Sequence, residues 1–326
     1  MNTFMLLVCL PRGSTQPAEL HTQLAARLAR FDRTRRVPPY RIDADLNPEM
    51  LDRVLRAFNR TRALDGVEVD DPRQLWSPIV DAHNTDLDDE SDRLDLDPDG
   101  TPHHLRTTNP HARFDRWAIG GRWHSRFVAT PEARPAQLIH PERVGDRWRC
   151  AGGLLHALDL AGMRADAAVA AHAAYDRWEA TVAGTPTATP WQVFADRHHA
   201  NPDRYPYTAA LADFHRQPRV RALRHHDAHA GSAPRFGSAL TPSTYATVVD
   251  EYQAGRDVYV TYRARLAVLG YALLTTGGQW LTPGPVACHT WPAVTFTDRL
   301  AYTRRATTHL DALDPQTLLV GLTCHA

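Results

Sequence analysis

The chain contains no lysine: all 37 of its basic residues are arginine. This removes Schiff-base catalysis through an amine and the lysine of a phosphate-binding loop. With the abundance of Ala, Asp and Pro, it reads as the codon bias of a GC-rich genome rather than selection for guanidinium chemistry. Net charge is also lacking, since 37 acidic residues balance the arginines. Bulk electrostatics therefore gives no support to a nucleic-acid-coating role, and nucleic acid is a disfavoured partner. No apolar stretch approaches the roughly 18 residues a membrane helix needs, so no membrane partner is expected. The apolar start, Met1 to Leu10, has neither a basic leader nor a small-residue cleavage site. It reads as a strand, and the protein as cytoplasmic. Cys9, Cys150, Cys288 and Cys324 form no C-x-x-C pair, which argues against a zinc ribbon or a disulfide framework. G-x-S-x-G, a G-x-G-x-x-G after a strand and a Walker loop are all missing, so no cofactor is assigned.

What is present is a soluble, core-forming composition, 43% hydrophobic and 23% charged, over 326 residues. Thr3 to Leu10 reads as a buried strand ended by Pro11-Arg12-Gly13. Ala18 to Phe31 reads as a helix, because Leu20, Leu24, Leu28 and Phe31 recur on one face. Asn47-Pro48 marks a second helix start, with Met50, Leu51, Val54, Leu55 and Phe58 as its stripe. Residues 81–100 are strongly acidic. Asp95 to Gly100 resembles a calcium loop, but Pro98 breaks the order and the twelfth position lacks Glu, so a solvated loop is the favoured reading. Residues 151–240 read as an all-helical block opening at Gly152-Gly153, with further helices from Thr189-Pro190 and over Tyr207 to Phe214. Asp257 to Tyr262 alternates like a strand. Gly277-Gly278 before Gln279-Trp280-Leu281 marks a hairpin. A helix over Asp298 to Leu313 and a strand over Leu318 to Cys324 complete the chain. This order predicts an α+β fold, a mostly antiparallel sheet with packed helices. Residues 1–150 and 241–326 would form its core, and 151–240 a helical insertion.

The richest stretch is Asn109 to His124. It holds two tryptophans, two adjacent glycines, one carboxylate and three arginines within sixteen residues. A guanidinium stacks on aromatic faces and binds anions in a fork, and a glycine pair permits positive φ or a close approach. Asn109, Pro110, Phe114, Asp115, Trp117, Ile119, Gly120, Gly121, Arg122 and Trp123 together resemble a motif of a widespread group of uncharacterised bacterial and phage proteins. In that group an Asn-Pro segment leads to aromatic-Asp-x-aromatic and then Ile-Gly-Gly-Arg-Trp. Tyr271-Ala272-Leu273-Leu274 running to Gly278-Gln279-Trp280, and the terminal Cys324-His325 pair, are similar too. The likeness covers about half the chain in three blocks and implies a common core and a shared site, not a reaction. Members often carry an acidic residue before the terminal Cys-His; here Thr323 stands there.

Arg122 is the first candidate, an anion clamp with Trp117 and Trp123 walling a pocket and Asn109 beside it. Asp115 would orient Arg122 or act as general base. The competing reading is a structural cluster in which Asp115 and Arg122 form a buried pair. Cys324 and His325 alternate on a strand and so point to opposite faces. His325 is the acid–base candidate and Cys324 a pocket residue, against a core thiol beside an exposed imidazole. Cys288-His289 repeats the pattern. His225 and His229 share a helical face, with Asp227 nearby, but no metal site is assigned to them. The pocket is expected where the Asp115 to Trp123 segment meets the terminal strand. The leading expectation is an enzyme acting on a small anionic or nucleotide-like substrate, with the reaction unassigned. The alternative is a non-catalytic binding module of a mobile-element or phage-derived locus.

Overall fold

The computed structural model describes residues 3–11, 15–43, 80–81, 84, 93–96, 98, 102–231, 234–236, 244–284 and 294–326. The expected helix after Asn47-Pro48, most of the acidic run and Cys288-His289 lie outside these residues. The chain begins with β1 (Thr3–Leu10), α1 (Pro17–Leu28), β2 (Arg36–Asp43), β3 (Leu94–Leu96) and β4 (Pro102–Thr108). Next come β5 (Arg116–Ile119), β6 (Phe127–Val128), β7 (Leu138–Ile139), β8 (Glu142–Val144), β9 (Arg147–Cys150) and β10 (Gly152–Leu154). Six helices follow: α2 (Leu160–Val182), α3 (Trp191–Ala200), α4 (Tyr207–Arg216), α5 (Pro218–His229), α6 (Thr244–Gln253) and α7 (Arg256–Leu266). The chain closes with β11 (Ala272–Leu274), β12 (Trp280–Leu281), α8 (Phe296–Asp311) and β13 (Leu318–His325). The fold is α+β with mostly antiparallel sheets.

Contacts divide the chain into two compact units, Met1–Leu24 with Arg116–Ala326, and Ala25–Asp115. The first unit holds a seven-stranded sheet ordered β12-β11-β1-β13-β10-β7, with β5 also on β13. Only the β1–β11 pair is parallel among its described pairings. The centre is β1 against β13, in register from Thr3↔His325 to Leu10↔Leu318. Phe4 to Leu10 and Leu318 to Cys324 are all buried, which is why both strands read as unbroken apolar runs. Alternation sends Thr3, Met5, Leu7 and Cys9 to one face with Gly321, Thr323 and His325. Met5, Leu7, Cys9 and Leu319 share a core with Phe127, Cys150, Tyr302 and Leu310. The helices from Leu160 to Leu266 belong to this unit, where Tyr175, Trp178, Tyr252 and Tyr259 form a second core.

Helix α8 starts with a capping box: Thr295 Oγ1 accepts from Asp298 N at 3.2 Å and Asp298 accepts from Thr295 N at 2.9 Å. The Thr295 hydroxyl, and after it the Thr295 N–H, donate to the Asp298 carboxylate and lower its pKa. The Gly277-Gly278 hairpin forms as expected, pairing Leu273↔Leu281 and Leu274↔Trp280.

Two local expectations are corrected. Asp257 to Tyr262 is helical, within α7. Its strand-like alternation conceals a helical stripe, with Tyr259 and Tyr262 buried while Val258 stays exposed. Gly152-Gly153 lies in β10 rather than opening a helix; a Cβ on Gly152 would meet Leu319 O at 2.1 Å, so the strands require glycine there. The long helix begins at Leu160, capped by Asp159, whose Oδ1 accepts from Gly162 N at 2.8 Å.

In the second unit, β2-β4-β3 form a three-stranded sheet. Asp95, drawn from the acidic run, accepts two bonds from the Arg41 guanidinium, at 2.9 and 2.7 Å. Among the described residues of the whole chain, no helix is long and apolar enough to cross a membrane.

The cap on α2 yields a stability prediction. Asp159 also pairs with Arg147 at 3.1 Å, so Asp159→Ala removes a cap and an ion pair together. Denaturant unfolding should show a loss of about 1–2 kcal/mol with an unchanged m-value. An unaltered midpoint would show that neither contact contributes.

Candidate functional site

The Gly-Gly-Arg-Trp segment forms a tight turn after β5. Gly120 and Gly121 have φ of +68° and +53°, the left-handed region that favours glycine. A Cβ on Gly121 would sit 2.6 Å from Thr323 Oγ1. That hydroxyl clamps the turn, donating to Gly120 O at 2.7 Å and accepting from Arg122 N at 3.1 Å. Thr323 thus fills a structural need with one neutral group that both donates and accepts, which a carboxylate does not do. Trp123 N closes the turn on Gly120 O at 2.9 Å. Its indole then packs on the core beneath the sheet.

The structure separates the residues singled out by sequence. Arg122 Nη1 donates to Thr3 Oγ1 at 3.1 Å, and His325 lies directly opposite Thr3 in the β1–β13 register. Arg122, Trp123 and His325 therefore gather on the Thr3 side of the sheet. The Nδ1 of His325 is buried with no partner among the described residues. Trp117 and Cys324 are opposite one another on the other face. There Trp117 stacks on His21 of α1, with centroids 4.9 Å apart. Cys324 is fully buried, and burial pushes its thiol up to about 12. A thiol so placed is no nucleophile near neutral pH.

Asp115 and Asn109 belong to the second unit. Asp115 pairs with Arg33 at 3.0 Å. Asn109 donates to Arg30 O and Asp32 O at 2.7 and 3.0 Å, and accepts from His111 N at 3.0 Å. Its amide is thus engaged in fixing local backbone.

A cavity of about 850 Å³ opens in the first unit. Trp123 is part of its wall, as are Thr3, Phe4 and Met5 at the start of β1. Helix α2 supplies a wall of small side chains, Ala167, Ala170, Ala171 and Ala174, between Met163 and the first turns of its second half. Helix α7 contributes Tyr259, Tyr262, Arg263 and Leu266, and α8 contributes Arg299, Tyr302 and Thr303. Arg126, Val128 and Arg149 come from the β6–β9 ribbon. Among the described residues, the lining thus carries four guanidiniums and one carboxylate, that of Asp166.

Two of these guanidiniums share a buried counter-ion. Arg263 and Arg299 approach Glu251 at 3.9 and 3.7 Å, and the Glu251 side chain is only 10% exposed. Burial raises the Glu251 carboxyl, and the two arginines pull it back. One carboxylate between two guanidiniums leaves a net positive charge while fixing both. Its neighbour Asp250 is pushed up to about 6 by burial, with Arg299 opposing the shift. Burial also raises the Tyr262 phenol, to about 12, so Tyr262 stays a neutral donor at physiological pH.

Asp227 in α5 is committed elsewhere: it accepts from Tyr245 Oη at 3.0 Å and Phe236 N at 2.8 Å. His225 and His229 stack face to face at 4.3 Å, as their spacing on one helical face requires. Among the described residues, no group of three His, Cys, Asp or Glu side chains is placed to hold a metal ion.

Sequence reasoning reached Trp123 and the Thr3 corner but missed Arg126, Arg149, Arg263 and Arg299. The available signal was the spacing Tyr259, Tyr262, Arg263 and Leu266, a helical i, i+3, i+4, i+7 face hidden under an apparent β alternation.

Two measurements check this geometry. Thr323→Val keeps the shape but deletes the clamp and leaves Gly120 O and Arg122 N without it; unfolding should cost about 1–3 kcal/mol. An unchanged stability would mean that solvent replaces the clamp. Asp250 has a raised pKa in the fold, so the folded state holds its proton more tightly, and stability falls as pH rises from about 3.8 through about 6. Asp250→Asn should therefore gain stability over wild type across that window and keep the gain at pH 7.5. A constant difference at every pH would contradict the shift. No family model, no curated protein and no solved structure matches the chain.

Proposed function

We propose that the cavity binds a small anionic or nucleotide-like molecule, and that the protein is a cytoplasmic enzyme or receptor for it. The observation that carries this reading is the charge balance of the lining: four guanidiniums, one carboxylate and an aromatic wall around about 850 Å³. Ligand pockets commonly span roughly 300–1,000 Å³ and combine apolar walls with few polar groups. Arginine forks recognise carboxylate and phosphate oxygens, and Trp123, Tyr259 and Tyr271 offer faces and edges to a planar ring. The likeness of Ile119 to Trp123 to the bacterial and phage group belongs to the same proposal. It extends to those proteins the use of this turn to deliver a tryptophan to a pocket wall.

The test is thermal unfolding of the purified protein with nucleotides, pyrophosphate and small carboxylates. A ligand present at 100 times its dissociation constant should stabilise by about 2.7 kcal/mol. Ala170→Trp narrows the alanine wall of α2 from an exposed position, so it should leave the unliganded melting temperature near wild type and abolish the ligand shift. Arg299→Gln should weaken binding about tenfold or more. Shifts that persist in Ala170→Trp would place the ligand elsewhere, and no shift with any anion at millimolar concentration would end this reading.

A further inference from the structure

The four arginines are not equivalent. Arg263 and Arg299 share the Glu251 carboxylate. Arg149 meets no carboxylate and no side-chain hydrogen-bond partner among the described residues. Arg126 has no carboxylate there either; Arg126 Nη2 donates to Leu266 O at 2.9 Å. The ribbon register explains why both face the cavity. Val128 is directly opposite Arg149, so the two share a face, and Arg126, two residues before Val128, lies on that face as well. The other face, with Phe127 and Cys150, is buried in the core. The ribbon is thus anchored by its apolar side and turns two guanidiniums toward the open volume. Glu142 lies directly opposite Arg149 in the β8–β9 register, but its carboxylate is held by Ser125 Oγ at 2.8 Å and His124 Nε2 at 3.6 Å, and neither arginine makes an ion pair among the described residues.

Resting on the anion-site reading, we infer that Arg126 and Arg149 form the locus for a dianionic phosphoryl group, and that the ligand is a phosphate monoester. The pair at Glu251 is tied to a buried carboxylate and frames the site, whereas the two ribbon guanidiniums make no ion pair among the described residues and are the ones left to meet a dianion, the form of a phosphate monoester at pH 8, above its second pKa of about 6. Arg149 on β9 and Arg126, just before β6, both line the cavity, and a tetrahedral phosphoryl group has oxygens enough to meet two guanidiniums at once, which a carboxylate's two oxygens do only in part. Carbonyl anchoring of Arg126 limits its freedom, so less entropy is lost when the group docks.

Two probes of one shape and different charge separate the possibilities: phenyl phosphate, a dianion at pH 8, and phenyl sulfate, a monoanion. Isothermal titration of the whole chain at pH 8 should show phenyl phosphate binding at least about tenfold tighter than phenyl sulfate. Arg149→Gln should reduce that preference to under about threefold, with the melting temperature close to wild type, because the exposed Arg149 side chain has no hydrogen bond or ion pair to lose among the described residues. Arg126→Gln should do the same even where it also lowers stability. Equal affinity for the two probes in wild type leaves the anion cavity standing and removes the dianion locus. A preference unchanged in both variants assigns the discrimination to Arg263 and Arg299 and overturns the inference. Failure of wild type to bind phenyl phosphate at all also overturns it, while the Ala170→Trp comparison judges the cavity reading separately.

Discussion

The pairing of β1 with β13 is the constraint on which the rest depends. Eight residue pairs join two strands that are apolar and buried on both faces. Each interior residue removes roughly 1.5–3 kcal/mol worth of apolar surface from water, before conformational entropy is counted. Once that register is set, the side of each end residue follows. Thr3 and His325 must face one way, Phe4 and Cys324 the other. The same strand then seats β5 along its outer stretch and β10 along its inner one, so β13 positions three partners.

From that frame the cavity follows by local steps. Thr323, on the cavity side of β13, clamps the Gly120–Gly121 turn, and the turn lays Trp123 over the core. Asp159 starts α2 where it accepts from Gly162 N and binds Val128 O through its own N–H. This ties the helix to the ribbon that bears Arg126 and Arg149. Helix α7 packs along α2, and its Leu266 carbonyl receives Arg126. Small side chains on α2 leave the space that larger ones would fill. Three of the four charges at the edge of that space are held in place, Arg263 and Arg299 by the buried Glu251 carboxylate and Arg126 by the Leu266 carbonyl, so most of the field is built into the scaffold.

Much of the fold was legible in sequence wherever one periodicity dominated. Leu20, Leu24, Leu28 and Phe31 gave α1 and the short turn after it, and all four are buried. The apolar runs gave β1 and β13, and the glycine pair gave the β11–β12 hairpin. Legibility failed where local preference and tertiary demand diverged. Val258, Tyr259, Val260 and Tyr262 favour a strand by type, yet packing of Tyr259 and Tyr262 against neighbouring helices makes them α7. Gly152-Gly153 looked like a helix opening but serves close strand approach. The site was legible only at Trp123 and its neighbours around Thr3. Arg126, Arg149, Arg263 and Arg299 come from elements far apart in the chain, and no local pattern in an arginine-rich sequence marks four of them as converging.

The central claim is that these guanidiniums face a space built for an anion. Anomalous X-ray scattering from crystals soaked in bromide tests it most directly, because it locates the anion rather than inferring it. The account requires ordered bromide beside Arg126 and Arg149 inside the cavity. Bromide confined to the outer surface, with the same crystals showing only water among the four arginines, would contradict it.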